Sequence, residues 1–550
     1  MLKIWYKRYK GFMANILQGM SLNRKIGFII LNGGFSFYVA VTRYFVYQDF
    51  SVSGYYVPLY LLWTLLVGVL VFHGSMFVYS ISMDLSISRG EGRDISSNKT
   101  FIWTFGILSV IFGLSFLAYF PGGISNDNAV QWLQVQSFDF DNWHPAIHTI
   151  LIWFASRVIN HYSFIVALQI LSFSASVGYL MVCLKDYGFG KWWLRLVVIA
   201  IIINPDTRNI LMFAWKDNGL SILLLLLLGM TIQVWQSDGR WLEGWLNRLG
   251  IAGVIALASL IRHNGFFYTV PFLLFMILAF RHRLKAMIWL SGLVLLGVWF
   301  IRVPLYGAFS VSYPIQTYQE SIGLPMTILG DIYVQNPEAL STDTVDFLEA
   351  VAPAEQWKEQ YHLGDYNSIK FWSKADVAIK NIPFSTFIGM VGDAIGKDWR
   401  NGFSAVRELT DMVWESRGMP EASIGTPYVY GQAIGYTYEH TDLNIIGTRF
   451  MILVNGLSGF GLVDKFLRMT GTQILLVMFA GLIAFGRKGL RSLALVIPLL
   501  AYDFGTMLLL CGNDYRFFQF NALLFIPIIL ILLSAETTEM GNNKKTAGFR

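Results

Sequence analysis

Asp127, Asp139, Asp141, His144 and His148 gather in residues 120–150, FPGGISNDNAVQWLQVQSFDFDNWHPAIHTI, a polar and aromatic insert between two strongly apolar runs. No Lys or Arg occurs from Thr100 to Ser156. A carboxylate within hydrogen-bond reach of a hydroxyl can take its proton. Imidazoles can orient a substrate or ligate a metal. Asp127 is the candidate catalytic base, because the Pro121, Gly122, Gly123 turn brings backbone close to the end of the preceding apolar run. The competing reading makes Asp127 the cap of a helix over 129–136, with Asp139 and Asp141 as solvated loop acids. His144 and His148 stand four residues apart, which predicts one shared helix face and resembles zinc-ligand spacing. No H-E-x-x-H motif occurs, so the pair points to substrate orientation. Asn128, Asp141, His144 and His148 are the candidate substrate contacts of this insert.

The remaining polar constellations lie at junctions between apolar runs. They are Lys216 with Asp217, Arg262 with His263 and Asn264, Arg302, and Asp514 with Arg516. An ionised side chain deep in a bilayer costs several kcal/mol, from about 3 upward, unless it lines a cavity or reaches the interface. Each group taken alone reads equally as an interfacial cap or an ion pair between helices. Together, facing the acidic insert, they suit an anionic substrate bearing phosphate, whose oxygens Arg grips bidentately.

What positions these residues is set by composition. Of 550 residues, 55% are hydrophobic and 14% charged. Crossing a hydrocarbon core takes roughly 20 apolar residues in a helix that satisfies its own backbone. The net charge of +6 does not indicate nucleic-acid binding. The bases cluster in short loops, as topology control requires. Cys183 and Cys511 both fall in apolar runs, so no disulfide framework is expected.

Spans are expected at 26–47, 57–81, 101–120, 164–184, 192–213, 218–235, 249–261, 266–280, 287–303, 474–485, 493–511 and 517–534. Residues 145–159 are assigned to a helix on the outer membrane surface. Counting them as a span would place Lys185, Lys191, Arg195 and the bases at 281–285 outside. The expected fold is an all-α polytopic membrane protein of about 12 transmembrane helices with both termini cytoplasmic. Its parts are a cytoplasmic N-terminus (1–25), a bundle (26–303) with a catalytic outer loop (121–163), and a mostly helical extracytoplasmic domain (304–446). C-terminal transmembrane helices (447–535) and a cytoplasmic tail (536–550) complete it.

Four local patterns carry a family resemblance. Asp127 follows a span, and Asn142-Trp143-His144-Pro145 opens the surface helix. Ala258-Ser-Leu-Ile-Arg-His-Asn-Gly265 leads into an apolar run to Pro271, and Asp514-Tyr515-Arg516 precedes a late span. At these residues the chain resembles the GT-C superfamily of membrane glycosyltransferases, which contains protein O-mannosyltransferases and lipid A aminoarabinose transferases. It is similar overall to a family of Gram-positive bacterial membrane proteins assigned to that group. The resemblance covers roughly 101–303 and the last two spans; the outer domain is unmatched. Asp127 is flanked by two asparagines, whereas the family often pairs two acids. A divalent cation therefore stays open, and no other cofactor is implied.

The resemblance implies transfer of a sugar from a polyprenyl-phosphate donor to a cell-envelope polymer or protein, at a site on the outer face of the cell membrane. Asp127 would act as general base on the acceptor hydroxyl or orient it, and Lys216, Arg262 and Arg516 with Arg302 would hold the donor phosphate. Tyr318, Trp357, Trp372 or Trp399 would stack on sugar rings. Two alternatives remain: a transporter or flippase of lipid-linked glycans, which would need midplane binding residues and a repeat relating two halves, and a polymerase or ligase on the same carrier. No G-x-x-x-x-G-K-[ST] motif is present for coupling to ATP.

Overall fold

Long apolar runs that cannot hydrogen-bond to lipid must close their backbone bonds internally, and the computed structural model of the chain follows that rule. It describes residues 11, 17–48, 56–82, 87, 96–314, 317–371, 373–380, 382–415, 434–436, 442–458 and 466–535. Among them the regular elements are all helices.

Eight of the described helices are long and apolar enough to cross a membrane: Leu22–Tyr47, Val57–Ser82, Ser97–Tyr119, Tyr162–Tyr187, Lys216–Gln236, Arg281–Ala308, Thr470–Met507 and Tyr515–Leu533. Their outward faces carry large apolar side chains. Leu70 is 72% exposed and Leu295 is 69% exposed, as helices facing lipid require. Thr470–Met507 is two helices, Thr470–Lys488 and Leu493–Met507, joined by the tight turn Gly489–Ser492. The helices Trp245–Leu260 and Phe266–Ala279 are apolar but shorter.

The segment expected as one span at 192–213 is instead broken. Its first helix, Lys191–Ile203, stops at Asn204, whose side chain accepts from Asp206 N (2.9 Å) and Thr207 N (3.2 Å). Pro205 then opens the short helix Pro205–Ile210. Proline offers no N–H to continue the first helix, and asparagine is a good cap for the second. Another helix, Asp442–Ser458, straddles the boundary expected at 446. It lies close along Ser97–Tyr119, with Asn444 Nδ2 donating to Leu117 O at 3.1 Å.

The charged loops sort to two ends of the bundle. At one end Lys185 Nζ donates to Ser97 Oγ (2.6 Å), Arg491 pairs with Asp238, His282 meets the same Asp238 at 3.1 Å, and Lys488 Nζ donates to Ser534 Oγ (3.1 Å). Asp127, Lys216, Arg262 and Arg516 converge at helix ends elsewhere.

A second core, separate from that of the bundle, is built by Ile322, Met326, Leu329, Trp357, Tyr366 and Ile379 with their neighbours, and Cys511 joins it. The chain running from Cys511 to Arg516 is therefore held by this smaller unit. Asn367 N donates to Cys511 O at 3.0 Å, and Asn513 Nδ2 donates to Asp411 Oδ1.

Candidate active site

The acid-bearing helix Asn126–Ser137 begins where two glycines let three elements meet. Gly122 has φ +131°, and a Cβ there would lie 2.8 Å from Val166 Cγ2. A Cβ on Gly123 would lie 2.6 Å from the Phe213 ring. Tyr162 Oη closes the junction by donating to Gly123 O at 2.9 Å, while Gly123 N donates to Met212 O at 2.9 Å.

Ser125, rather than Asp127, caps this helix. Its hydroxyl accepts from Asn128 N, and Asn128 Oδ1 accepts from Ser125 N at 3.2 Å in return. This reciprocal box satisfies two helix-end donors. It also reassigns Asn128, expected as a substrate contact: its side chain is buried in the turn. Asp127 is thereby free of capping. Its Oδ2 accepts from Lys216 Nζ and from Arg516 Nη1, each at 3.1 Å. Burial alone would raise this carboxyl, but the Lys216 and Arg516 cations outweigh it and hold Asp127 well below the usual carboxylate range.

The two cations come from the starts of separate helices, Lys216–Gln236 and Tyr515–Leu533. Arg516 also pairs with Asp514 through Nε at 2.7 Å, and its guanidinium lies over the Trp215 ring at 4.9 Å. Cation–π stacking of this kind fixes the plane of the guanidinium as well as its position.

His144 Nδ1 lies 3.2 Å from Lys216 Nζ. Burial first, and the Lys216 ammonium second, push His144 down to about 3, so the ring is neutral and accepts from Lys216. The expected shared helix face with His148 is not present. The helix expected over 145–159 is Ala146–Ser156 with Pro145 at its cap, so His144 precedes it. His148 is buried and meets Gln131 Nε2 at 3.1 Å. Pro145 at the cap starts the helix at Ala146, two residues past His144. Among the described residues no group of three or more His, Cys, Asp or Glu could hold a metal ion.

A second layer lies behind Arg516. Arg262 stacks on the Phe517 ring at 4.5 Å, and Arg516 stacks on the same ring at 5.3 Å. Arg262 pairs with the fully buried Asp217, and its Nε donates to Asn264 Oδ1 at 3.0 Å. Asn264 is held in turn by Thr506 Oγ1 at 2.7 Å. His263 Nε2 lies 2.9 Å from Trp143 O, tying this hairpin to the loop that carries His144.

Asp127, His144, Lys216, Asp514 and Arg516 are thus joined in one network, with Asp217, Arg262, His263 and Asn264 next to it. Asp141 and Arg302 do not join. Asp141 accepts from Trp143 N at 2.9 Å and shapes its own turn. Arg302 is exposed in the π-helical segment Ile301–Leu305, near Tyr306. Trp357 is not available for stacking: it is fully buried, and its indole donates to Leu348 O at 2.9 Å. Trp399 is 38% exposed, whereas Trp372 and the Tyr318 side chain lie outside the described residues.

Sequence reasoning missed Ser125 and Trp215 as site supports, and the ion pair of Arg468 with Asp206, at 2.9 and 3.3 Å. The Asn204, Pro205, Asp206 interruption of an apolar run was the available signal for the last. No protein-family model, curated protein or solved structure matches the chain.

Proposed function

We propose that this chain is a membrane glycosyltransferase that moves a sugar from a polyprenyl-phosphate carrier to a hydroxyl acceptor outside the cytoplasm. One observation supports the reading most: Asp127 shares its Oδ2 between Lys216 and Arg516, so a base and a phosphate grip occupy one place. In the proposed reaction the acceptor hydroxyl gives its proton to Asp127 Oδ1 as its oxygen bonds to the anomeric carbon. The bond from that carbon to the donor phosphate oxygen breaks, and the electron pair leaves with the phosphate. Lys216 and Arg516 take up the charge that develops there. Arg262, stacked on the ring that also supports Arg516, extends the basic wall.

The topology that goes with this reading has about 12 crossings, both termini in the cytoplasm and the Asp127 network on the outer face of the cell membrane. Contacts among the basic loops at the other end of the bundle support it. The grouping of acid and cations at helix ends favours an enzyme over a transporter, which would hold its substrate nearer the midplane.

The test is a purified protein in nanodiscs given polyprenyl-phosphate hexoses and an envelope extract as acceptor, with free polyprenyl phosphate measured by mass spectrometry. Wild type is expected to release it, and Asp127→Asn to lose at least about 100-fold in rate. Equal release by both proteins would remove Asp127 from the reaction.

A further inference from the structure

Among the described residues, each cation of the resting site already faces a carboxylate. Lys216 faces Asp127, Arg516 faces Asp127 and Asp514, and Arg262 faces Asp217. His144 adds only a neutral acceptor on Lys216. A phosphate that takes the place between Lys216 Nζ and Arg516 Nη1 must displace the Asp127 carboxylate that bridges them. Of the three acids, Asp217 is fully buried under Arg262, and Asp514 also caps the turn Tyr515–Phe518 by accepting from Arg516 N at 3.0 Å. Asp127 is the acid free to move, since Ser125 and Asn128 hold its helix end without it.

The geometry points to Asp127 as an internal competitor of the donor phosphate. A lipid phosphate carries at least one negative charge, so it can replace Asp127 on the two cations while the displaced carboxylate stays in the site. The displaced carboxylate loses the partners that keep it a weak base and turns to the acceptor hydroxyl. Donor binding thereby arms the base, and the order of binding is donor first. This rests on the reading that Lys216 and Arg516 hold the donor phosphate, and it adds a consequence that reading does not require: removing the base should tighten donor binding.

The experiment measures binding of sugar-free polyprenyl phosphate to the full chain in phosphatidylcholine nanodiscs, beside polyprenol and inorganic phosphate. Asp127→Asn is expected to bind polyprenyl phosphate roughly ten-fold more tightly than wild type, because one competing unit charge is gone. Asp139→Asn, which removes the same charge from an exposed position of the same loop, should change affinity less than about two-fold. Asp127→Ser should move the same way as Asp127→Asn, so the result does not depend on one variant folding. If Asp127→Asn binds equally or more weakly while all forms prefer polyprenyl phosphate to polyprenol, the competition is wrong and the phosphate grip stands. If no form prefers the phosphate over polyprenol, both ideas fail. Inorganic phosphate that binds as tightly as the lipid would make this a free-phosphate site and overturn the lipid assignment.

Discussion

Trp215 donates its indole N–H to Ser125 Oγ at 2.8 Å, which fastens the residue before Lys216 to the residue that caps the helix of Asp127. The same indole lies under Arg516 and stacks on Phe213, with ring centroids 4.3 Å apart. One side chain thus sets the spacing of the acid and both cations.

Trp215→Phe keeps a ring beneath Arg516 but loses the hydrogen bond, whereas Trp215→Leu loses both. The expected order of transfer rates is wild type, then Phe, then Leu. Ser125→Ala should cost about 1 kcal/mol of stability through the lost cap, with a rate loss of its own. Thermal unfolding and transfer rate, measured on the same preparations, separate the two effects. Equal rates for Trp215→Phe and Trp215→Leu would remove the stacking role.

The Arg262 and Asp217 pair is buried, and a buried ion pair behaves differently from a grip exposed to substrate. Arg262→Ala leaves Asp217 as an uncompensated buried charge, a loss on the order of 3–5 kcal/mol for such pairs. Adding Asp217→Ala to it should recover a large part of that loss. Arg240→Ala, at an exposed position by the opposite-end loops, should leave stability within about 0.5 kcal/mol. A double variant no more stable than Arg262→Ala would mean the two residues are not coupled.

Much of the site was legible because charge in an apolar context is costly and therefore conspicuous. Asp127, Lys216 and Arg516 each interrupt or flank runs that could otherwise lie in lipid, and the helices met where those interruptions fall. Choosing the cap was harder, since Ser125 and Asp127 are both good capping residues and only tertiary contact assigns Asp127 elsewhere. The shared face expected for His144 and His148 failed for a related reason. Spacing of four places two residues on one face only if both are helical, and Pro145 starts the helix after His144. Trp357 shows the limit in the smaller unit: an aromatic that fills a core looks the same in sequence as one that stacks on a ligand.

The smaller unit should show its own pH dependence through Asp331. This fully buried acid accepts from Tyr361 Oη at 2.7 Å and from Gly364 N at 3.0 Å. Burial raises it to about 6, against the lowering effect of those bonds. Its folded value is above its unfolded value, so its contribution is fully present below about 4 and is lost as pH rises through 6. Asp331→Asn should therefore stabilise the protein at pH 7 by on the order of 2 kcal/mol and flatten the melting temperature between pH 4 and 6. An unchanged pH profile in the variant would assign that dependence to other groups.

Topology is checked by thiol labelling, because Cys183 and Cys511 are both buried and give little background. Cysteine at the exposed position Asn126 should react with an impermeant reagent in intact cells, and cysteine at Arg240 only after the membrane is opened. The reverse pattern would turn the bundle over.

The most direct test of the central claim compares envelope glycans, by mass spectrometry, from cells carrying wild type or Asp127→Asn at matched protein levels. The account expects one sugar substituent to vanish from the variant's envelope while its polyprenyl-phosphate sugar accumulates. Identical glycans and identical lipid-linked sugars in the two strains would contradict it.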